Sequence, residues 1–454
     1  MPQQIIKFWK LHTYSILIVL GCISFYTVFA YDLEREDFPK LLSLFVALFF
    51  FHYKLIQFEK WNFKFLLVSG ILFRLVFLLT EPNLSQDFYR FIWDGELIKN
   101  GINPYLFLPN QLIEQGNLPV ANAIELHQGM GDLSAKHFSN YPPINQFIFT
   151  ISAFLGGGSI LGSIVIMRLT IILADIGILY FGRKLLQSLN RSPHMAFWYF
   201  LNPLAIVELT GNLHFEGVML FFFVWSLYLV SINKWIWAAP IYSLSIMVKL
   251  VPILFLPLFL KYFGFKKSTL FYLLVGASCV ILLFPFYSPS FINNYSETVG
   301  LWFSNFEFNA GIYNAVKKIW VSCFDAKPWE LVKVYGKVVA ISVILGTLVL
   351  TFLRRNQNLN TLIISMLIIL TGYYFLSSTV HPWYIVFLIV LSVFTKYQYA
   401  MVWSLAIVLS YYAYSNPDFK ENLWLLTIEY ILVFGFLIYE IIGKGEKKLH
   451  FFKK

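Results

Sequence analysis

The chain has 454 residues, 58% of them hydrophobic and only 13% charged, about half the charged share of an average soluble domain. Apolar runs about long enough to cross a bilayer recur from end to end, which excludes a soluble protein and equally a soluble domain on a single anchor. The net charge of +10 sits in short connections between those runs, where the positive-inside rule puts it, so it points to membrane lipids as partners and not to nucleic acid. Cys22, Cys279 and Cys323 are odd in number and widely spaced, so they imply neither a disulfide framework nor a metal site. The expected fold is an all-α polytopic membrane protein, residues 1–454 forming one integrated transmembrane domain of about 12–14 helices.

In chain order, Lys7 and Lys10 precede the first apolar run (Thr13 to Tyr31) and "DLERED" follows it, so the N-terminus is expected in the cytoplasm and Asp32 outside. Val28-Phe29-Ala30 resembles a signal-peptidase site, but the run is long for a signal peptide and a retained first helix is expected. Runs near Leu41–Gln57 and Phe65–Thr80 come next, with Lys54, Lys60 and Lys64 between them on the inside. Residues 81–143 then form a long extracytoplasmic loop with seven acidic residues against three basic ones, a sign contrast that supports its outer position. Ile144–Gly182 has the length of two crossings where charge permits one. "FLGGGSILG" resolves this, with Phe147–Leu155 a short re-entrant or surface helix and Gly162–Gly182 the span. Trp235–Phe263 has basic residues at both ends, so two short legs breaking near "KLVP" are expected, with Lys249 on the outer side. A second outer loop is expected over 287–333. The basic tail and clusters such as Arg354/Arg355 place both termini on the cytoplasmic side.

The first outer loop opens on "SQDFYRFIWDGELIKNGINPY", Ser85 to Tyr105. Ser85 is a good N-cap, Gly101 a good stop, and a helix to about Asn100 follows. Asp87, Arg90 and Asp94 fall on one face at helical spacing and Phe88, Phe91, Ile92 and Gly95 largely on another. This predicts a short amphipathic helix at the outer interface. Asp94 either pairs with Arg90 on a solvated face, worth a few tenths of a kcal/mol, or lines a pocket.

"GNLHFEG" then presents Asn212, His214 and Glu216 at the outer end of two apolar runs, "MVKLVP" sets Lys249 inside another, and "SSTVHPWY" sets His381 at the end of a third. Ionisable residues at such depth are costly and line cavities or pathways. A snorkelling Lys249 and a helix-capping His381 are the plain alternatives. Arg168 and Asp175, seven apart in one span, read as a buried structural pair. Tyr141 of "NYPPINQ" is a turn residue whose hydroxyl is able to face a ligand.

An outward-facing acid with lysine and histidine at lipid depth suits displacement of a lipid-linked phosphate: the acid takes a proton from an acceptor hydroxyl and the cations neutralise the departing phosphate. No GxGxxG, P-loop or soluble nucleotide-binding domain is present, against a nucleotide-sugar donor.

The stretch from Ser85 to Tyr105, with "YPPINQ", "VKLVP" and "HPWY", resembles the polyprenyl-phosphate-sugar-dependent glycosyltransferases of the GT-C superfamily, nearest the mannosyltransferase-like family 87. The resemblance implies a GT-C-type bundle whose long first outer loop carries short amphipathic helices. It implies an inverting hexosyltransferase that moves mannose, as first guess, from a polyprenyl phosphate sugar to a lipid- or glycan-linked acceptor. By it Asp87 is the general base, Lys249, His381 and Arg90 contact the donor phosphate, and Asp94, Tyr141, His214 and Glu216 line the substrate pocket. One departure is visible: the family often has two consecutive acids before the aromatic pair, and here the first is Gln86. A single carboxylate there leads to the expectation of no divalent metal and no cofactor, although Asp94 or Glu216 remains able to supply a ligand.

Two other readings compete. An O-antigen ligase or polymerase also uses lipid-linked sugars, but such chains place their large, arginine-rich loop late. A lipid or sugar transporter commonly shows two similar halves, and "DFYRFIWDG" has no repeat in the second half.

Overall fold

A computed structural model describes residues 2–116, 119–304, 306–324 and 327–451. Among them the chain is helical throughout, and its one β feature is an isolated bridge between Phe308 and Thr379. The first three helices are α1 (Pro2–Tyr31), α2 (Phe38–Glu59) and α3 (Phe63–Leu75). Asp37 and Asn62 start α2 and α3 by accepting from the amides of Lys40 and Phe65, which satisfies donors that a helix start leaves orphaned.

Among the described residues seven helices are long and apolar enough to cross a membrane: Lys7–Tyr31, Phe38–Glu59, Ile160–Ser188, Phe265–Phe286, Trp329–Phe352, Leu359–Leu376 and Leu423–Gly443. Pro203–Gly211 and Glu216–Ser231, bent by 115° at their junction, make an eighth if taken as one span. Four more apolar helices, Pro143–Leu155, Trp235–Val248, Val251–Phe263 and Pro382–Val393, are shorter. The helix count of 12–14 therefore holds only with these short elements included. Prolines and charged residues interrupt the apolar runs before they reach full length.

Trp235–Val248 stops where Lys249 adopts extended backbone, φ −148° and ψ 138°, and Pro252 opens the next turn. This is the break expected at "KLVP". Pro143–Leu155 and Ile160–Ser188, separated at "GGGS", likewise follow the expected division.

Arg168 and Asp175 do not pair. Asp175 accepts from Arg74 Nε at 2.8 Å, while Arg168 donates to the carbonyls of Leu78, Thr80, Thr210 and Gly211. Those carbonyls belong to two places where helices end inside the protein. Such groups need a donor, and one guanidinium with five N–H groups meets all four.

The loop helix α4 (Asp87–Lys99) is not an interfacial amphipathic helix: Phe88 and the whole of Arg90 to Leu97 are buried. Its packing against Pro143–Leu155 is close enough that a Cβ at Gly95 would lie 2.3 Å from the Phe149 carbonyl oxygen. Phe91 stacks on Phe149 beside it, ring centres 4.6 Å apart. Ser85 lies one residue outside the helix, its hydroxyl accepting from the Asp87 amide at 3.3 Å. Parts of the loops at 81–143 and 287–333 (residues 117–118, 305 and 325–326) lie outside the described residues.

Candidate active site

The candidate site residues lie where helices break. Asp87 is the first residue of α4, His214 lies in the bend between Gly211 and Glu216, Lys249 in the break after Val248, and His381 before the turn Pro382–Tyr384. Burial raises the pKa of Asp87 above the usual carboxylate value, and Glu216 adds to the rise. The positive charges of His214, Lys249 and Arg35 oppose it.

Lys249 Nζ lies 2.5 Å from Glu216 Oε1; the Glu216 side chain is 5% exposed and that of Lys249 27%. The other Glu216 oxygen has no hydrogen-bond partner among the described residues. His214 Nδ1 lies 3.0 Å from the Glu208 carbonyl oxygen and 2.9 Å from its Oε2. Glu208 is itself fixed, accepting from Asn212 Nδ2 at 3.0 Å and from the Tyr411 hydroxyl. The hydrogen bond from Nδ1 to the Glu208 backbone carbonyl sets the ring's orientation, the carboxylate close by making none, and leaves the second nitrogen free. His214 Nε2 is buried without a partner.

Rings order the rest. His214 stacks on Trp383 at 3.8 Å, Trp383 on His381 at 4.3 Å with planes 4° apart, and His381 on Phe308 at 5.1 Å. Phe308 is held in this column because its amide donates to Ser378 and its carbonyl accepts from Val380. His381 Nδ1 is unpartnered, and burial together with the charges of His214 and Lys249 lowers its pKa to about 3. His381 is therefore a neutral hydrogen-bonding group at neutral pH. Tyr141 joins the site, its hydroxyl pKa raised by burial and by the nearby Asp87 carboxylate.

Arg90 and Asp94 lie apart from this function. Arg90 Nε donates to Asp94 at 2.7 Å, and Nη1 to the carbonyls of Ser134 and His137. The other Asp94 oxygen accepts from Ser139 Oγ at 2.5 Å and Gln146 Nε2 at 3.1 Å. The pair is the i,i+4 contact open to sequence reading, but it is buried, with side chains 4% and 0% exposed. It ties α4 to the chain before Pro143. Arg90 as a donor-phosphate contact and Asp94 as a pocket residue give way to this structural role.

The residues that sequence reasoning missed are Arg35, Glu208, Phe308 and Tyr414. Arg35 was visible in "DLERED", where it served only as a topology signal. No His, Cys, Asp and Glu side chains gather in threes as a ligand set among the described residues.

A multi-pass helical membrane protein whose acid, cations and rings meet at helix breaks is suited to group transfer at the membrane. Comparison with known proteins narrows the class. Residues 41–263 match the family model described as alpha-(1->6)-mannopyranosyltransferase, N-terminal domain. The chain is 26% identical over 146 residues, 32% of its length, to alpha-(1->6)-mannopyranosyltransferase B of Corynebacterium glutamicum. It is 23% identical over 143 residues, 31% of its length, to alpha-(1->6)-mannopyranosyltransferase A of Mycobacterium tuberculosis. The aligned stretches span only 23% and 26% of those relatives. Over this region the chain is mannosyltransferase-like, as its motifs suggested.

Proposed function

We propose that the protein transfers a mannosyl residue from a polyprenyl phosphate sugar to an acceptor hydroxyl on the extracytoplasmic side of the membrane. The lipid tail lies among the helices and the head group enters the pocket. Asp87 takes the acceptor proton as the hydroxyl attacks C1 on the face opposite the phosphate, inverting that centre, and the C1–O bond to the phosphate breaks. Lys249 carries positive charge toward the departing phosphate, and His381, being neutral, is able to supply a hydrogen bond. His214, oriented by Glu208, is a second donor. The reaction runs without a divalent metal in this reading.

The observation that carries it is Asp87: a partly buried carboxyl at a helix start, its charge balanced among His214, Lys249 and Glu216, in a chain that matches a mannosyltransferase family. The test is transfer of label from radiolabelled polyprenyl phosphate mannose to a crude lipid acceptor extract by protein purified into bilayers. Asp87→Asn should lower turnover by about 10²–10⁴-fold with donor binding retained, the range general-base catalysis supplies. Undiminished transfer in the variant moves the base elsewhere.

A further inference from the structure

Two of the pocket's positively chargeable groups are already engaged. Lys249 is paired with Glu216, and His214 is held against Glu208. His381 is neutral. Arg35, in the turn between α1 and α2, differs: among the described residues it forms no ion pair. It is nonetheless held. Its guanidinium lies 4.2 Å from the centre of the Tyr414 ring and 5.4 Å from that of Phe419, and its Nε is buried with no hydrogen-bond partner among the described residues. The Tyr414 ring lies 6.2 Å from Phe308, with planes 20° apart, which connects the cradle to the ring column. Arginine stacked on aromatic faces is pre-ordered, so binding an anion costs it little further entropy.

We infer that Arg35 is the anion anchor of the pocket and binds the phosphate of the lipid-linked donor. The inference rests on the proposed donor reading. Neither Arg35 nor Tyr414 falls within the family-matched residues 41–263. A planar fork of N–H donors matches phosphate oxygens better than a point charge does.

The test uses the full chain in bilayer nanodiscs and compares binding of farnesyl phosphate with that of farnesol. Wild type should prefer the phosphate by tenfold or more. Arg35→Gln should abolish most of that preference while leaving farnesol binding and thermal midpoint unchanged, and Arg35→Lys should lose part of it. Arg35→Met keeps the apolar stem against Tyr414 and replaces the Gln variant if that one does not fold. A preference retained in both neutral variants overturns the inference and leaves the donor reading standing. A wild type that does not distinguish phosphate from alcohol overturns both together.

Discussion

Lys249 and Glu216 face each other across two helix breaks, 2.5 Å apart, each at a point where the backbone has left the regular ladder. Lys249 follows the end of Trp235–Val248, and Glu216 begins the helix after the 115° bend. The pair joins the two breaks while leaving one Glu216 oxygen without a hydrogen-bond partner among the described residues, so it braces the pocket and presents charge within it.

Lys249→Met should therefore damage both properties. It removes the cation nearest the leaving group and strands a buried carboxylate, at a cost of about 1–3 kcal/mol. In the double variant with Glu216→Gln, thermal stability should recover and transfer should not. Recovery of transfer as well would show that Lys249 serves only to neutralise Glu216.

Asp94→Asn should show the opposite signature. It leaves Arg90 buried without a counter-charge and weakens the contacts of Ser139 and Gln146. A loss of about 3–5 kcal/mol is expected from breaking a buried pair, with turnover per folded molecule close to wild type. Measuring transfer against the fraction of correctly folded protein separates the two effects.

The pH dependence of transfer should follow Asp87. Its pKa is raised by burial above 3.8, the ordinary value of this carboxyl, and a base works only when ionised. Activity should fall as pH drops through that raised value, so the acid limb should lie above 3.8, the unperturbed position of this carboxyl. Folding linkage has the same origin: burial favours the protonated carboxyl, so the stability this group contributes declines as pH rises from 3.8 through the raised pKa. His381, neutral down to about pH 3, should add no limb between pH 5 and 8. A pH–rate profile of wild type beside His381→Gln checks both statements.

Gly95→Ala should destabilise the protein by about 1–3 kcal/mol, the cost of overpacking, because the new methyl meets the Phe149 carbonyl at 2.3 Å and a backbone atom cannot swing away. Separation of α4 from Pro143–Leu155 should then expose Asp87, lowering its pKa. A downward move of the acid limb in the surviving activity is the expected readout.

Much of this arrangement could be read from residue order. The break at Lys249 follows from basic residues at both ends of one apolar run with a proline inside it, and the bend at "GNLHFEG" from polar residues where two apolar runs meet. Asp87, Lys249, His214, Glu216 and His381 lie at the helix breaks those signals mark, and Tyr141, read from sequence as a turn residue, lies near Asp87. What sequence could not show was which charges cancel. Asp94 looked available because its partners Ser139 and Gln146 lie 45 and 52 residues away, and Arg90 because the carbonyls it meets, those of Ser134 and His137, lie 44 and 47 away. Asp175 was assigned to Arg168 by helical spacing, whereas its partner Arg74 is 101 residues distant. Arg35 was hidden for the same reason, since only the fold brings Tyr414 over it.

The ring column has a consequence for how the protein is made. Asp87, His214, Glu216 and Lys249 all emerge from the ribosome long before Trp383, His381 and Tyr414, and the pocket has no aromatic wall until those last segments are threaded into the bilayer. Lys249 and Glu216, only 33 residues apart, are able to neutralise each other early and so keep a half-built membrane domain tolerable to lipid. A chain arrested after residue 263 would carry the proposed base and its balancing charges but lack Trp383, the ring on which His214 stacks. Competence is therefore acquired late in membrane insertion, when the C-terminal segments close over chemistry that the first half already holds.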